Sequence, residues 1–260
     1  MKYGGTGWVR QSLDWRDQHY AAPIHFESAS SYDLSPAFPP VYDQGQTSSC
    51  TGQASCGAYH YLATAQSIDG FTPSRLFTYF QARAMEGDTS RDDGAEIRDV
   101  IKSLATDGAA DESLWPFNPS AITATPPTSV FLAAKSHLAL QYKAIPDALA
   151  PDQKRVHLLS LLAHKIPIVF GISCFRGLDS DATAATGVVP MPSANESPNG
   201  GHAIVIVGWN ATKQLYKFRN SWGADWGDHG YGYLPAAYVE NPGLSSDFWA
   251  MLLVEKDAKK

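Results

Sequence analysis

DQGQTSSCTGQASC, residues 43–56, holds a Gln-Gly pair, a run of small hydroxyl residues and two cysteines, Cys50 and Cys56. How the chain is read depends on whether one thiol is a nucleophile or both are core residues. Ser48 or Ser49 can cap a helix from about Cys50 to Gln66, with Ala54, Ala58, Leu62 and Ala65 on one stripe. On such a helix the two cysteine Cα atoms lie about 9 Å apart, too far for a disulfide. Their side chains point about 120° apart around the axis, so only one can face a given cleft. Cys50 falls in the first turn, where unpaired N–H groups and the helix dipole favour an anion and supply thiolate. Cys56 lacks that field, and it and Cys174 read as small buried hydrophobes.

A thiol nucleophile needs a base, and the base needs an orienting partner. HAIVIVGW (202–209) reads as an apolar strand, LYKFRNSW (215–222) alternates as its partner, and NATKQ (210–214) is the hairpin loop between them. That register brings His202 opposite the Asn220–Trp222 region. A neutral Asn can accept from an imidazole N–H and hold the ring without removing its proton. The other histidines, among them His60, His137, His157, His164 and His229, lack a matched partner in the sequence.

Elsewhere, helices are expected near 74–85, 95–106 and 151–164. The second is opened by Asp92 or Asp93 and closed by Gly108; the third carries Val156, Leu159 and Leu162 as its apolar positions. IPIVFGISCF (166–175) reads as a buried strand, and the Pro-containing stretch 116–128 as a seam between a mostly helical half and a mostly β half. The acidic run EGDTSRDDGAE (86–96) reads as a solvated loop rather than a cation site. His and Cys show no metal-ligand spacing, and nothing in the sequence calls for a cofactor.

The chain has 260 residues, 44% of them apolar and 18% charged, with 21 glycines and 17 prolines, so a globular, loop-rich protein is expected. A net charge of −6 without a Lys/Arg cluster argues against nucleic acid or an anionic membrane as partner. No stretch approaches the ~18 apolar residues of a membrane span. Three cysteines cannot all pair within one chain, and the N-terminal stretch has no apolar run of the signal-peptide kind. The cytoplasm or another reducing compartment is therefore expected.

With these residues in place, the chain resembles the papain-like cysteine peptidases, in particular bacterial members that lack the usual disulfides. DQGQTSSC is similar to the family's nucleophile segment, GGHAIVIVGW to its His strand, and RNSWGADWGDHGYGY to its Asn strand and the Trp/Gly-rich continuation. The 152 residues from Cys50 to His202 compare with the roughly 130–150 typical of that family. The resemblance implies an α+β fold in two halves, helical over about 44–120 and an antiparallel β-sheet or barrel over about 128–260, with the active-site cleft between them. It implies Cys50 as nucleophile, paired as thiolate with imidazolium His202, and Asn220 orienting that ring. Gln44 and the Cys50 backbone N–H would stabilise the oxyanion, and Trp222 would shield the His–Asn pair. Gly94 and Gly201 are implied neighbours of a bound peptide or protein substrate. Thr47, Thr51 and Gly201 depart from the family's commoner disulfide Cys, aromatic and acidic residues.

Residues 1–31, with Trp8, Trp15 and His19, read as an extension that docks on the domain beginning at Tyr32, either as a short inhibitory segment or as a strap that adds core. Two other functions fit the same residues. One is an idle relative that binds peptides, and the other a thiol acyltransferase or peptide ligase sharing the acyl-enzyme.

Overall fold

The computed structural model describes residues 1–23, 30–68 and 70–256. In chain order the elements are β1 (Trp8–Val9), β2 (Tyr32–Asp33), α1 (Cys50–Ala65), α2 (Arg75–Glu86), β3 (Ala95–Glu96) and α3 (Ile97–Thr106). The second half holds α4 (Thr128–Ala134), β4 (His137–Ile145), α5 (Pro151–Ala163), β5 (Ile168–Cys174), α6 (Asp181–Thr186), β6 (Gly200–Asn210), β7 (Leu215–Arg219), β8 (Tyr231–Pro235), α7 (Ala236–Val239) and β9 (Ser245–Lys256). The architecture is α+β: helices dominate the first half and one large antiparallel sheet the second.

α1 is the hub. Gly52, Ala54, Ser55, Gly57 and Ala58 are small enough for neighbours to close in from every side, and thirteen of its sixteen residues are buried. The expected single stripe is therefore too narrow, and Ala65, assigned to it, is exposed at the last turn. Ser49 is the N-cap but makes no capping bond; its hydroxyl is engaged by Thr47 Oγ1 at 2.8 Å and Gln53 Nε2 at 3.1 Å. On α5, Leu158, Leu159, Leu161 and Leu162 are buried, as is Lys154, whereas Val156 is 36% exposed. The apolar positions read from sequence there are partly displaced, because the packed face includes a lysine stem.

The sheet runs β4-β9-β5-β6-β7-β8, with β2 added alongside β6. β5 is central and wholly apolar but for Ser173, as a strand covered on both faces must be. The β6–β7 hairpin pairs Val205 with Arg219, and a bulge between Ile206 and Gly208 shifts the register beyond it. Among the described residues all three cysteines are free and buried, and no helix is long and apolar enough to cross a membrane.

Candidate active site

Cys50 opens α1, and three neighbouring stretches converge on it. β6 brings His202, paired across the sheet with Ile172 of β5, and the backbone N–H of Ala203 donates to Cys50 Sγ at 3.4 Å. The stretch after β7 brings Asn220, whose Oδ1 accepts from His202 Nε2 at 2.8 Å and from the Ser221 backbone N–H at 2.8 Å. An acceptor at Nε2 fixes that nitrogen as the N–H of a neutral ring, leaving Nδ1 as the basic position. Nδ1 has no hydrogen-bond partner among the described residues. Trp222 stacks on His202 with ring centroids 4.7 Å apart and planes at 27°, and Trp226 abuts Trp222 edge-on at 5.4 Å.

The third stretch brings Gln44. Its backbone N–H donates to Ser221 O at 2.9 Å, and Asp43 bridges Trp222, so this extended piece and the Asn220–Trp222 stretch form one unit. The Gln44 side chain is fully buried. Its Oε1 accepts from Ser221 Oγ at 2.6 Å, which turns the amide so that Nε2 donates to Thr47 O at 2.7 Å and to Gly5 O at 3.2 Å. Cys50, His202, Asn220, Gln44 and Trp222 are thus brought together. The hydroxyl of Ser221, within the quoted RNSW but given no role from sequence, is the group that orients Gln44.

Gly5 belongs to a segment that no local sequence signal locates. Residues 4–9 run across Cys50. Gly5 N–H donates to Gly45 O at 2.9 Å and Trp222 Nε1 to Gly5 O at 3.3 Å. Gly7 N–H donates to Gly201 O and Gly7 O accepts from Ala95 N–H, each at 2.9 Å. Trp8 and Val9 then pair in parallel with Ala95 and Glu96. The approach is so close that a Cβ on Gly5 or Gly7 would overlap the carbonyl of Thr47 or Ser48. Gly94, at φ +94°, turns beside the Gly7 carbonyl, and Gly201 lies under Trp8. Both glycines read as substrate neighbours therefore line the path of this chain's own N-terminal backbone.

The loop carrying Gly94 is tied down. Asp92 accepts from Ser48 N–H at 2.9 Å and Tyr79 OH at 2.7 Å, and Gly94 N–H donates to that hydroxyl at 3.0 Å. Asp92 is therefore neither the cap of α3, which begins after Glu96, nor merely a solvated charge. Among the described residues no His, Cys, Asp and Glu group together as metal ligands would.

Burial sets the charge state. It pushes the Cys50 thiol up to about 12, outweighing the N–H groups of Ala203, Gly7 and Thr51 that favour thiolate. It pushes His202 down to about 4 against the opposing bond to Asn220. The helix N-terminus does not win here, contrary to the expectation from the first turn. With the segment over it, the pair is a neutral thiol beside a neutral imidazole.

A family model described as papain family cysteine protease matches residues 30–250. An uncharacterized peptidase C1-like protein of Acanthamoeba polyphaga mimivirus is 36% identical over 210 residues, covering 80% of this chain and 68% of that protein. Xylellain, a cysteine protease from Xylella fastidiosa, superposes with a TM-score of 0.89 at 30% identity, covering 98% of each chain. Digestive procathepsin L 3 of Tenebrio molitor, at 17% identity and TM-score 0.70, shares the fold. Similar proteins thus come from a virus as well as a bacterium, so the likeness does not fix a bacterial source.

Proposed function

The chain belongs to the papain family of cysteine peptidases, and from that premise we propose that it cleaves peptide bonds at Cys50 and that its own residues 4–9 hold the site shut. The observation that carries the chemistry is the His202–Asn220 bond at 2.8 Å beside a helix-initial thiol. When the segment leaves, water and substrate dipoles re-enter and burial no longer suppresses both charges. Nδ1 of His202, the nitrogen not held by Asn220, takes the Cys50 proton, and imidazolium and thiolate stabilise each other. The thiolate adds to the scissile carbonyl. The oxyanion is met by Gln44 Nε2, which already donates to a carbonyl oxygen in Gly5, and by the Cys50 N–H. His202 returns its proton to the leaving amine, and water, deprotonated by the same ring, releases the acyl group.

Three contacts support the inhibitory reading: the Gly5 carbonyl takes the amide of Gln44, the Gly7 N–H lies against the Cys50 thiol, and Trp222 Nε1 is occupied by Gly5. A substrate carbonyl and residues 4–9 compete for the same donors. The native chain should therefore cut a fluorogenic peptide mixture slowly, the Trp8→Ala protein at least ~10-fold faster, and neither once Cys50→Ala is added. A Cys50→Ala protein that still cuts would remove the thiol mechanism. Equal rates for the native and Trp8→Ala proteins would remove the inhibitory one.

A further inference from the structure

We propose that two copies of this chain pair through the turn of residues 12–17, each placing Leu13 and Trp15 in the other's groove between α5 and the β6–β7 loop. Leu13 is fully exposed and Trp15 is 92% exposed. A loose chain end can show apolar side chains to water without purpose, but this turn is pinned. Asp14 Oδ1 accepts from the Arg16 backbone N–H at 3.0 Å and from its Nε at 2.8 Å, and Asp17 N–H donates to Asp14 O at 3.1 Å. From α3, Arg98 reaches Ser12 O at 2.6 Å and Asp17 at 2.7 Å, and Lys102 lies 3.5 Å from Asp14. Two large apolar side chains are thus held outward on an ordered frame, and docking them costs little further ordering.

A matching groove lies on the same chain. Pro151, Leu215, Pro235, Ala237 and Pro242 wall a cleft of about 770 Å³, within the roughly 300–1,000 Å³ of clefts that take a ligand. Its floor is charged but satisfied. Glu240, 2% exposed, accepts from Arg155 Nε and Nη2, each at 2.7 Å, and from Tyr216 OH at 3.0 Å. An apolar group laid on that floor therefore strands no buried donor or acceptor. Arg155 lies over the Trp209 ring at 5.8 Å and also lines the groove, so an entering indole meets a cation with its ring face. Of the aromatic side chains, Trp gains most from such a contact.

The relation between turn and groove selects a second copy as the occupant. Arg10, five residues before Trp15, donates to Pro242 O in the groove wall at 3.1 Å. Five extended residues reach at most ~18 Å, so turn and groove are neighbours on one part of the surface. In its own chain Trp15 stays in solvent because α3 holds the turn. A two-fold axis beside them can fill both grooves at once, giving a closed dimer instead of an open chain. The rims agree in charge: Arg16 is exposed, and so is Asp152, which follows Pro151. Such a rim pair sets orientation more than affinity. A net charge of −6 on each chain opposes pairing, so the dimer is weak and added salt strengthens it. A lipid surface fits less well, because Asp14 and Asp17 lie within the same turn.

Sedimentation equilibrium of the native chain should show monomer and dimer with a Kd on the order of 10–100 µM. Trp15→Ser and Ala237→Glu, both at exposed positions, should each weaken pairing at least ~10-fold while circular dichroism and Tm stay unchanged. Leu132→Ser, exposed on α4 and outside both surfaces, should dimerise like the native chain. A mixture of Trp15→Ser and Ala237→Glu chains retains one intact turn and one intact groove. It should form heterodimers at least ~3-fold tighter than either variant pairs with itself. A native chain still monomeric at ~1 mM, pairing that neither variant weakens, or no gain on mixing overturns the inference. So does Trp15-dependent binding to phosphatidylcholine/phosphatidylserine vesicles by a chain that stays monomeric, which would assign the turn to a lipid surface.

Discussion

At Cys50 two fields oppose each other. The backbone N–H groups of Ala203, Gly7, Thr51 and Cys50, the last two at the helix N-terminus, draw the thiol toward thiolate, while complete burial draws it back, and burial prevails. Iodoacetamide should therefore alkylate Cys50 of the native chain slowly from pH 5 to 8, with a rate still rising at pH 9. In Trp8→Ala the reaction should already be fast near pH 6 and should be lost on adding His202→Ala. Matching profiles for the native and Trp8→Ala chains would mean that the segment does not set the charge state. His202 gives a second, opposite-signed reading. Its pKa falls from 6.5 to about 4 in the folded chain, so the unfolded chain takes up a proton first as pH drops. The neutral ring's contribution is intact above pH 6.5 and is lost between 6.5 and 4, at most about 3 kcal/mol. Urea midpoints across that range should fall less in His202→Gln than in the native chain. Gln44→Ala should lower kcat about 100-fold with little change in KM, because its donor matters most when the oxyanion forms.

At the scale of elements, the site depends on how loops are tied to the start of α1. Asp92 holds Ser48, two residues before the thiol, and Tyr79 of α2 holds both Asp92 and Gly94. Tyr79→Phe removes one hydroxyl that serves as donor and acceptor at once, leaving a carboxylate oxygen and a buried N–H short of a partner. The expected loss is about 1–3 kcal/mol, read as a lower urea midpoint. A midpoint unchanged within error would mean that the loop is held by its backbone alone. The hairpin is tied similarly: Arg219, at the end of β7, donates to the carbonyls of Pro39 and Pro40 at 2.8 and 2.6 Å. That fixes the extended strand leading to Gln44 against the strand leading to Asn220.

For the molecule as a whole, the N-terminal segment is packed into the fold where it covers the candidate site. Trp8 packs on β5 and β6 and bonds to Asp247, and Lys2 N–H bonds Asp179 at 2.7–2.8 Å beyond the far end of the site. Arg98 of α3 is nearly buried and reaches Asp17 at 2.7 Å and Ser12 O at 2.6 Å. Trp8→Ala should therefore lower Tm by several degrees while raising peptidase activity. Calorimetry and a peptide assay on the same preparation check the pair of signs. A fall in both would make the segment a structural strap only.

The sequence by itself determined which residues meet at the candidate site and the strands that carry them. HAIVIVGW and LYKFRNSW have a strand period and a short polar loop between them, and hairpin register follows from such local features, so His202 and Asn220 had to meet. α1 was legible too, to within a residue of its end, because propensity and small residues act over a few positions. Its all-round burial was not, since that depends on what packs against each side; for the same reason the apolar pattern of α5 points to Val156 where the fold buries Lys154. β4 and β9, a long-range pair at one edge of the sheet, left no turn or motif to find them by. Asp247, Gly171 and the path of residues 4–9 were decided only by tertiary structure. Trp8 and Asp247 are 239 residues apart, and no local periodicity encodes a contact between such distant positions. The GGTG of residues 4–7 carries no motif or periodicity that sets its path; folded, it is the piece of chain small enough to pass over the Cys50 thiol.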